Sequence, residues 1–224
     1  SLYGVWDHIK NGGDHGAENH ELEWVGMLPG TRESRRLMGD YILNETDILE
    51  NRIFEDAVAY GGWCVDLHCP HGLLDTDIMP SGDCRFYDGV YTIPYRSYYS
   101  KNIENLFMAG RNISATKLGM CSTRIIGCCA VGGQAVGAAA ALCTKYGCDP
   151  RGLAPHVPEL QQLLLRRDCF IPGFKNEDAL DLAREATFTA SSHKNGCEPA
   201  KVIDGISRRL GEDAHGWVSE GIRE

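Results

Sequence analysis

No G-x-G-x-x-G occurs anywhere in these 224 residues, so no glycine run of this chain makes a dinucleotide fingerprint in its own right. A C-x-x-C is absent too. The ten cysteines, from Cys64 to Cys197, form no ferredoxin-like cluster and show no zinc spacing, which removes support for an iron–sulfur or structural zinc centre. No residue is assigned to a metal. A disulfide framework is not expected in a chain of this length with a real core, and Cys121, Cys128, Cys129 and Cys143 read as small apolar residues. Basic charge is scarce: 22 Lys and Arg face 31 Asp and Glu, a net charge of −9. That balance argues against nucleic acid or an anionic membrane as the main partner. No signal- or transit-peptide pattern opens the chain. What is present, 43% apolar residues, is the composition of a globular protein, long enough for one domain and part of another.

The most informative stretch is 105–146, NLFMAGRNISATKLGMCSTRIIGCCAVGGQAVGAAAALCTKY. Residues 106–109 suit one buried strand. Gly110 can turn sharply or admit a close ligand, and Arg111, Asn112, Ser114 and Thr116 make the next loop polar. Ser122 or Thr123 is placed to N-cap a long helix that ends near Tyr146, with Gly147 as its αL stop. Between Gly127 and Ala141 almost every residue is Gly, Ala or Cys. Each glycine costs about 1 kcal/mol against Ala in a helix, so Gly127, Gly132, Gly133 and Gly137 are there to let something approach. A strand, a glycine turn, a polar loop and a small-residue helix together form a cofactor-facing unit of an α/β protein. Close packing on a sheet without a ligand is the competing reading. Residues 125–143 carry no charge and are just long enough to cross a bilayer, but Gln134 and the weakly hydrophobic Gly and Ala argue against a membrane span.

Elsewhere the pattern is weaker. Residues 21–28 alternate as a half-buried strand, and 36–43 suit a second. TRESRR, at 31–36, offers Arg32, Arg35 and Arg36 either as a solvated turn or as a clamp for an anionic substrate. Residues 44–51 read as a short acidic helix capped by Asn44 or Thr46. In the strand 64–68, alternation puts Asp66 and His68 on one face, with His71 in the following loop. His68 is a candidate acid/base. YTIPYRSYY, at 91–99, is β-prone but limited by Pro94 to an edge or a bend. Its Arg96 is either packed on tyrosines or set over a substrate pocket. Residues 157–167 form an amphipathic helix with Leu160, Leu163 and Leu164 on its apolar face.

NLFMAGRNIS and GMCSTRIIGCCAVGGQAVGAAAALC resemble the C-terminal cofactor-binding segment of bacterial FAD-dependent oxidoreductases, nearest the branch grouped with the A-type subunit of heterodisulfide reductase. The resemblance extends through ELEWVGMLPGTRESRR, FEDAVAYGGWCVDLH, YTIPYRSYYSKNIENL and LQQLLLRRDCFIPG. It implies a mixed α/β fold: an incomplete Rossmann-like FAD-binding domain with antiparallel substrate-cap strands at 1–175. It also implies that a missing N-terminal half of the same protein carries the ADP-binding motif. By that resemblance Gly110, Arg111 and Asn112 lie near the ribityl and pyrophosphate, and Ser122, Thr123 and Arg124 face the flavin pyrimidine. Catalytic candidates are His68, Arg96 and Lys117, the last standing where the family leads one to expect histidine. Arg32 and Arg35 are the substrate-side candidates. The implied reaction is hydride transfer between flavin N5 and an unidentified small-molecule or sugar-related substrate.

After a linker at 176–185, residues 186–224 resemble the start of a discoidin-type module. Strands are expected at 186–192, 201–205 and 217–220, as an unfinished sandwich exposing Val202, Ile203, Trp217 and Val218. Such modules often bind sugars, and often hold calcium near the residues matching Asp204 and Gly205. This suggests an extracytoplasmic setting, periplasmic or secreted. It also supports an alternative function, a carbohydrate-associated binding or scaffold protein without catalysis.

Overall fold

In the computed structural model, residues 2–28, 35–68, 83–209 and 211–221 are described. The chain divides into two compact units, Ser1–Ser34 and Arg35–Glu224. The first holds helix α1, Leu2–Asn11, none of whose residues is buried. Residues 21–28, read as a strand from their alternation, form none, and Trp24 is 77% exposed. Alternation records which side of a strand each residue would face; without a neighbour to complete the backbone ladder it does not make one.

The second unit is built on local signals first. Helix α2, Glu45–Leu49, starts where Asn44 accepts from the backbone of Thr46 and Asp47 while Asp47 bonds back to the Asn44 N–H. This reciprocal capping satisfies donors that a helix start leaves open. Asp47 is buried, yet its carboxylate also accepts from the Tyr41 hydroxyl at 2.8 Å and from Arg52 Nη1 at 2.9 Å. Replacing Asp47 with Ala removes the return half of the cap and the carboxylate that the Tyr41 hydroxyl and Arg52 share. The expected loss is about 3 kcal/mol, read as a lower urea midpoint. A loss below about 1 kcal/mol would show that this carboxylate does not organise the turn.

Among the described residues four short strands follow: β1, Ala57–Gly61; β2, Val65–Leu67; β3, Asp83–Arg85; and β4, Tyr91–Pro94. They form two antiparallel pairs, β1 with β4 and β2 with β3. A bulge interrupts the first between Ala57 and Ala59. Pro94 ends β4, and the chain bends into a 3-10 turn, Tyr95–Ser97, as a residue without an N–H requires. The strands expected at 36–43 and 106–109 shrink to single bridges, Leu43 with Ala115 in parallel and Tyr99 with Phe107 antiparallel. No parallel sheet of Rossmann type occurs among the described residues.

Cys64 and Cys84 are joined by a disulfide, a single cross-link where no disulfide framework was expected. The β2–β3 register, with Asp66 opposite Cys84, brings them together; a separation of 20 residues carries no such signal.

The central helices are α3, Lys117–Thr123; α4, Ile126–Tyr146; and α5, Val157–Arg166. The single long helix start expected at Ser122 or Thr123 is therefore wrong. Thr116 caps α3 by accepting from Gly119 N at 3.0 Å. The helix stops after Thr123, and Ile125 turns extended (φ −64°, ψ 142°) before α4 begins afresh. Gly147 closes α4 in the left-handed region, φ 62°, as read from the sequence. Among the described residues α4 is long and apolar enough to cross a bilayer. Its buried positions, Cys128, Gly132, Ala135, Ala139, Leu142 and Cys143, lie on a helix that packs on β1 and α5. Leu160 and Leu164 of α5 enter the same core. Gln161 reaches from α5 to the Glu55 and Ala57 carbonyls, at 2.7 and 3.0 Å.

The tail has no strand among its described residues. Residues 199–203 form a 3-10 turn, Pro199–Ile203, in place of the strand read at 201–205. The alternating 186–192 stretch has no ladder partner, and only isolated bonds such as Lys194 N to Val218 O, 2.8 Å, tie the segment together. Val202, Trp217 and Val218 are exposed as expected, while Ile203 is half-buried.

Candidate functional site

The α3 corner gathers most of the residues the sequence singled out. The loop before it is threaded between backbone partners: Leu37 N donates to Asn112 O at 2.9 Å, Ser114 N to Ser97 O at 3.0 Å, and Thr116 N to Leu43 O at 2.8 Å. Gly119 is needed there, because a Cβ would stand 2.6 Å from the Leu43 carbonyl oxygen. Of the two described arginines of TRESRR, Arg36 is the one turned to this corner. Its Nε donates to Ala115 O at 2.8 Å, and Nη1 lies 3.7 Å from Met120 Sδ. Arg35 is exposed; Arg32 lies outside the described residues.

Ser122 and Thr123 sit in the last turn of α3, and their neighbours separate them. Ser122 Oγ donates to Trp63 O at 2.5 Å and accepts from the Tyr91 hydroxyl at 2.7 Å. Its hydrogen bonds are therefore used within the protein, and burial holds the Tyr91 phenol above its ordinary value. Thr123, also buried, leaves Oγ1 without a partner among the described residues, as do Asn112 Oδ1 and Ser114 Oγ. A buried polar atom without a partner costs on the order of 1–3 kcal/mol, so three within one segment call for something that hydrogen-bonds them. Gly110, at φ 88°, has open space where a Cβ would stand.

Arg124 follows directly and is buried. Its Nη2 donates to the Asp66 carbonyl at 2.9 Å and to Asp66 Oδ2 at 3.2 Å. The same oxygen holds His68 Nε2 at 2.9 Å. One carboxylate thus joins a buried guanidinium to a half-exposed imidazole. The shared face of Asp66 and His68 was readable from alternation; Arg124, 58 residues away, was not. A carboxylate on Nε2 favours the proton there and leaves Nδ1 as the basic nitrogen of the neutral ring.

The other candidates lie elsewhere in this unit. Arg96 makes a two-pronged ion pair with Asp56, Nε at 2.9 Å and Nη2 at 3.1 Å, and stands 5.3 Å from the Tyr41 ring centre. That is the tyrosine-packed arrangement. Lys117 is exposed at the first residue of α3. Arg111 is exposed, and its charge opposes the effect of burial, which raises the Cys129 thiol. His71 lies outside the described residues.

α4 explains part of its own composition. A Cβ on Gly132 would meet the Tyr98 hydroxyl at 2.6 Å, whereas Gly127, Gly133 and Gly137 have nothing within 4 Å. One glycine admits a buried tyrosine; three leave the other side of the helix open.

Residues 1–164 match the family model described as FAD dependent oxidoreductase. No curated protein and no solved structure matches the chain.

Proposed function

Because this chain belongs to the FAD dependent oxidoreductase family, whose cofactor is FAD, we propose that segment 110–124 is its flavin-side wall and the Asp66–His68 pair its proton-handling group. The observation that carries this reading is the set of buried, partnerless polar atoms at Asn112, Ser114 and Thr123. Within the family, the 105–146 motif supports the branch grouped with the A-type subunit of heterodisulfide reductase.

Bound FAD supplies the two-electron centre, exchanging a hydride with substrate at N5. The chain's own residues do the rest. Asn112 and Thr123 hydrogen-bond the cofactor, and Gly110 lets it approach the backbone. Arg111 offers a cation to its phosphates. Asp66 holds His68 by Nε2, so that Nδ1 takes or returns the substrate proton that accompanies hydride movement. Arg124 orients Asp66 through its two hydrogen bonds and adds positive charge beside the site. No glycine-rich dinucleotide fingerprint occurs in these 224 residues, so the roles assigned to them concern the flavin side alone.

Flavin retention tests this. Protein expressed from the complete reading frame should keep visible flavin bands through desalting, and Asn112→Ala or Thr123→Val should weaken them. His68→Asn should keep the flavin yet slow its reduction by substrate about 100-fold or more. Folded, colourless protein that FAD does not reconstitute would sink the reading.

A second reading rests on the tail, where a cavity of about 280 Å³ is lined by Phe188, Ser191, Pro199, Val202 and Trp217. An exposed indole beside such a hollow suits the apolar face of a sugar ring, as a discoidin-type module would use it. Saturation-transfer NMR with neutral sugars should show binding that Trp217→Ala removes; equal signals from both proteins would discard it. The Cys64–Cys84 disulfide supports an extracytoplasmic setting, because such bonds persist in oxidising compartments.

A further inference from the structure

In the first unit, His8, Asp14 and His15 bring two imidazole nitrogens and one carboxylate oxygen within 4.8 Å of one another. His8 lies in the last turn of α1, and His15 in the turn that follows. His15 Nε2 is 3.0 Å from His8 Nε2 and 3.2 Å from Asp14 Oδ1. A zinc ion bound at about 2.0–2.1 Å in a tetrahedron keeps its N and O ligands about 3.3 Å apart. Two of the three separations are therefore already close to those of a ligand set.

The backbone holds them there. Gly13 and Gly16 take φ of 82° and 61°, values that suit residues without Cβ, and turn the chain back beside the helix. Lys10 Nζ then donates to the carbonyls of Ala17, Glu18 and His20, at 3.2, 2.5 and 2.6 Å. Two rings meeting at the same nitrogen type make one hydrogen bond at best, whereas a cation uses both lone pairs.

We propose that His8, Asp14 and His15 form a binding site for a divalent first-row transition-metal ion of the zinc class. Imidazole with a single carboxylate suits Zn²⁺, Ni²⁺ or Cu²⁺; Mg²⁺ and Ca²⁺ call for more oxygen ligands. All three residues are exposed, so water completes the coordination. Composition alone assigned no metal here, because His-x6-His across a glycine pair is not a familiar ligand spacing.

The test is titration of the full 224-residue chain with Co²⁺, followed by displacement with Zn²⁺. One equivalent of Co²⁺ should give visible d–d bands without sulfur-to-metal charge transfer, which separates this site from the cysteines. His8→Ala/His15→Ala should lower affinity by more than about 10-fold, the loss seen when even a supporting group is removed. His193→Ala, a histidine elsewhere in the chain, should change nothing. Circular dichroism checks the fold of each variant, and Asp14→Asn supplies a milder change with the same expected direction. Unaltered affinity and spectrum in the double variant, or a charge-transfer spectrum in the wild-type chain, would overturn the proposal.

Discussion

Above about pH 10 the chain should unfold cooperatively, with tyrosinate absorbance and loss of helical circular dichroism developing together. Tyr91, Tyr95 and Tyr98 are each 1% exposed or less, and burial raises all three phenols above their ordinary value. Tyr99 is pushed up to about 12, by burial first and then by its hydrogen bond to Asp40. For an acid whose folded pKa is raised, the stabilisation is whole below the unfolded value. It is lost as pH climbs from there through the folded value. The unfolded chain releases phenolic protons near pH 10 while the folded chain keeps them. Linkage then removes about 4 kcal/mol per pH unit for the three deepest tyrosines together, against a typical total stability of about 5–15 kcal/mol. The transition should therefore lie above about pH 11, further up the more stable the chain is at neutral pH. Tyrosinate absorbance that develops fully while the helices persist would contradict this burial.

Tyr98→Phe refines the test. The Tyr98 hydroxyl is buried without a partner among the described residues, so removing it costs no hydrogen bond. The variant should match or exceed the wild type at neutral pH and unfold at higher pH. A clear loss of stability would mean that the hydroxyl has a partner after all.

Substitution of Gly132 should be the most damaging small change in α4. An added Cβ would lie 2.6 Å from the Tyr98 oxygen and 2.7 Å from a ring carbon, and the ring, 1% exposed, has no space to retreat into. Gly132→Val is expected to cost about 3 kcal/mol through overpacking. Gly133→Ala and Gly137→Ala meet open space, and each should gain up to about 1 kcal/mol from improved helix propensity. Urea midpoints separate the three. Equal midpoints for Gly132→Val and Gly133→Ala would show that α4 does not pack on Tyr98 in this register.

What could be read in advance was local. Asn44 with Asp47, the leucines of α5, Pro94 at the end of β4 and Gly147 after α4 act through bonds and contacts a few residues away, and each lies where its pattern put it. Family membership was legible because several motifs recur together between residues 21 and 173, and the family model matches residues 1–164. The Asp66–His68 face was legible for the same local reason, a two-residue alternation.

Long-range pairing was not. Alternation at 21–28 and 186–192 looked like strands, but a strand exists only where another segment completes its ladder, and neither stretch has one among the described residues. The break at Arg124–Ile125 interrupts a run with no proline, and its cause lies outside the helix. Arg124 reaches Asp66, and Ser122 reaches Trp63 and Tyr91, across 58, 59 and 31 residues. These bonds set where α3 stops and separate Thr123 from Ser122. The same reach decides which glycine of α4 faces a tyrosine and which face open space, and it joins Cys64 to Cys84. Such choices depend on how burial is shared among segments far apart in the chain, and a single sequence does not carry that information.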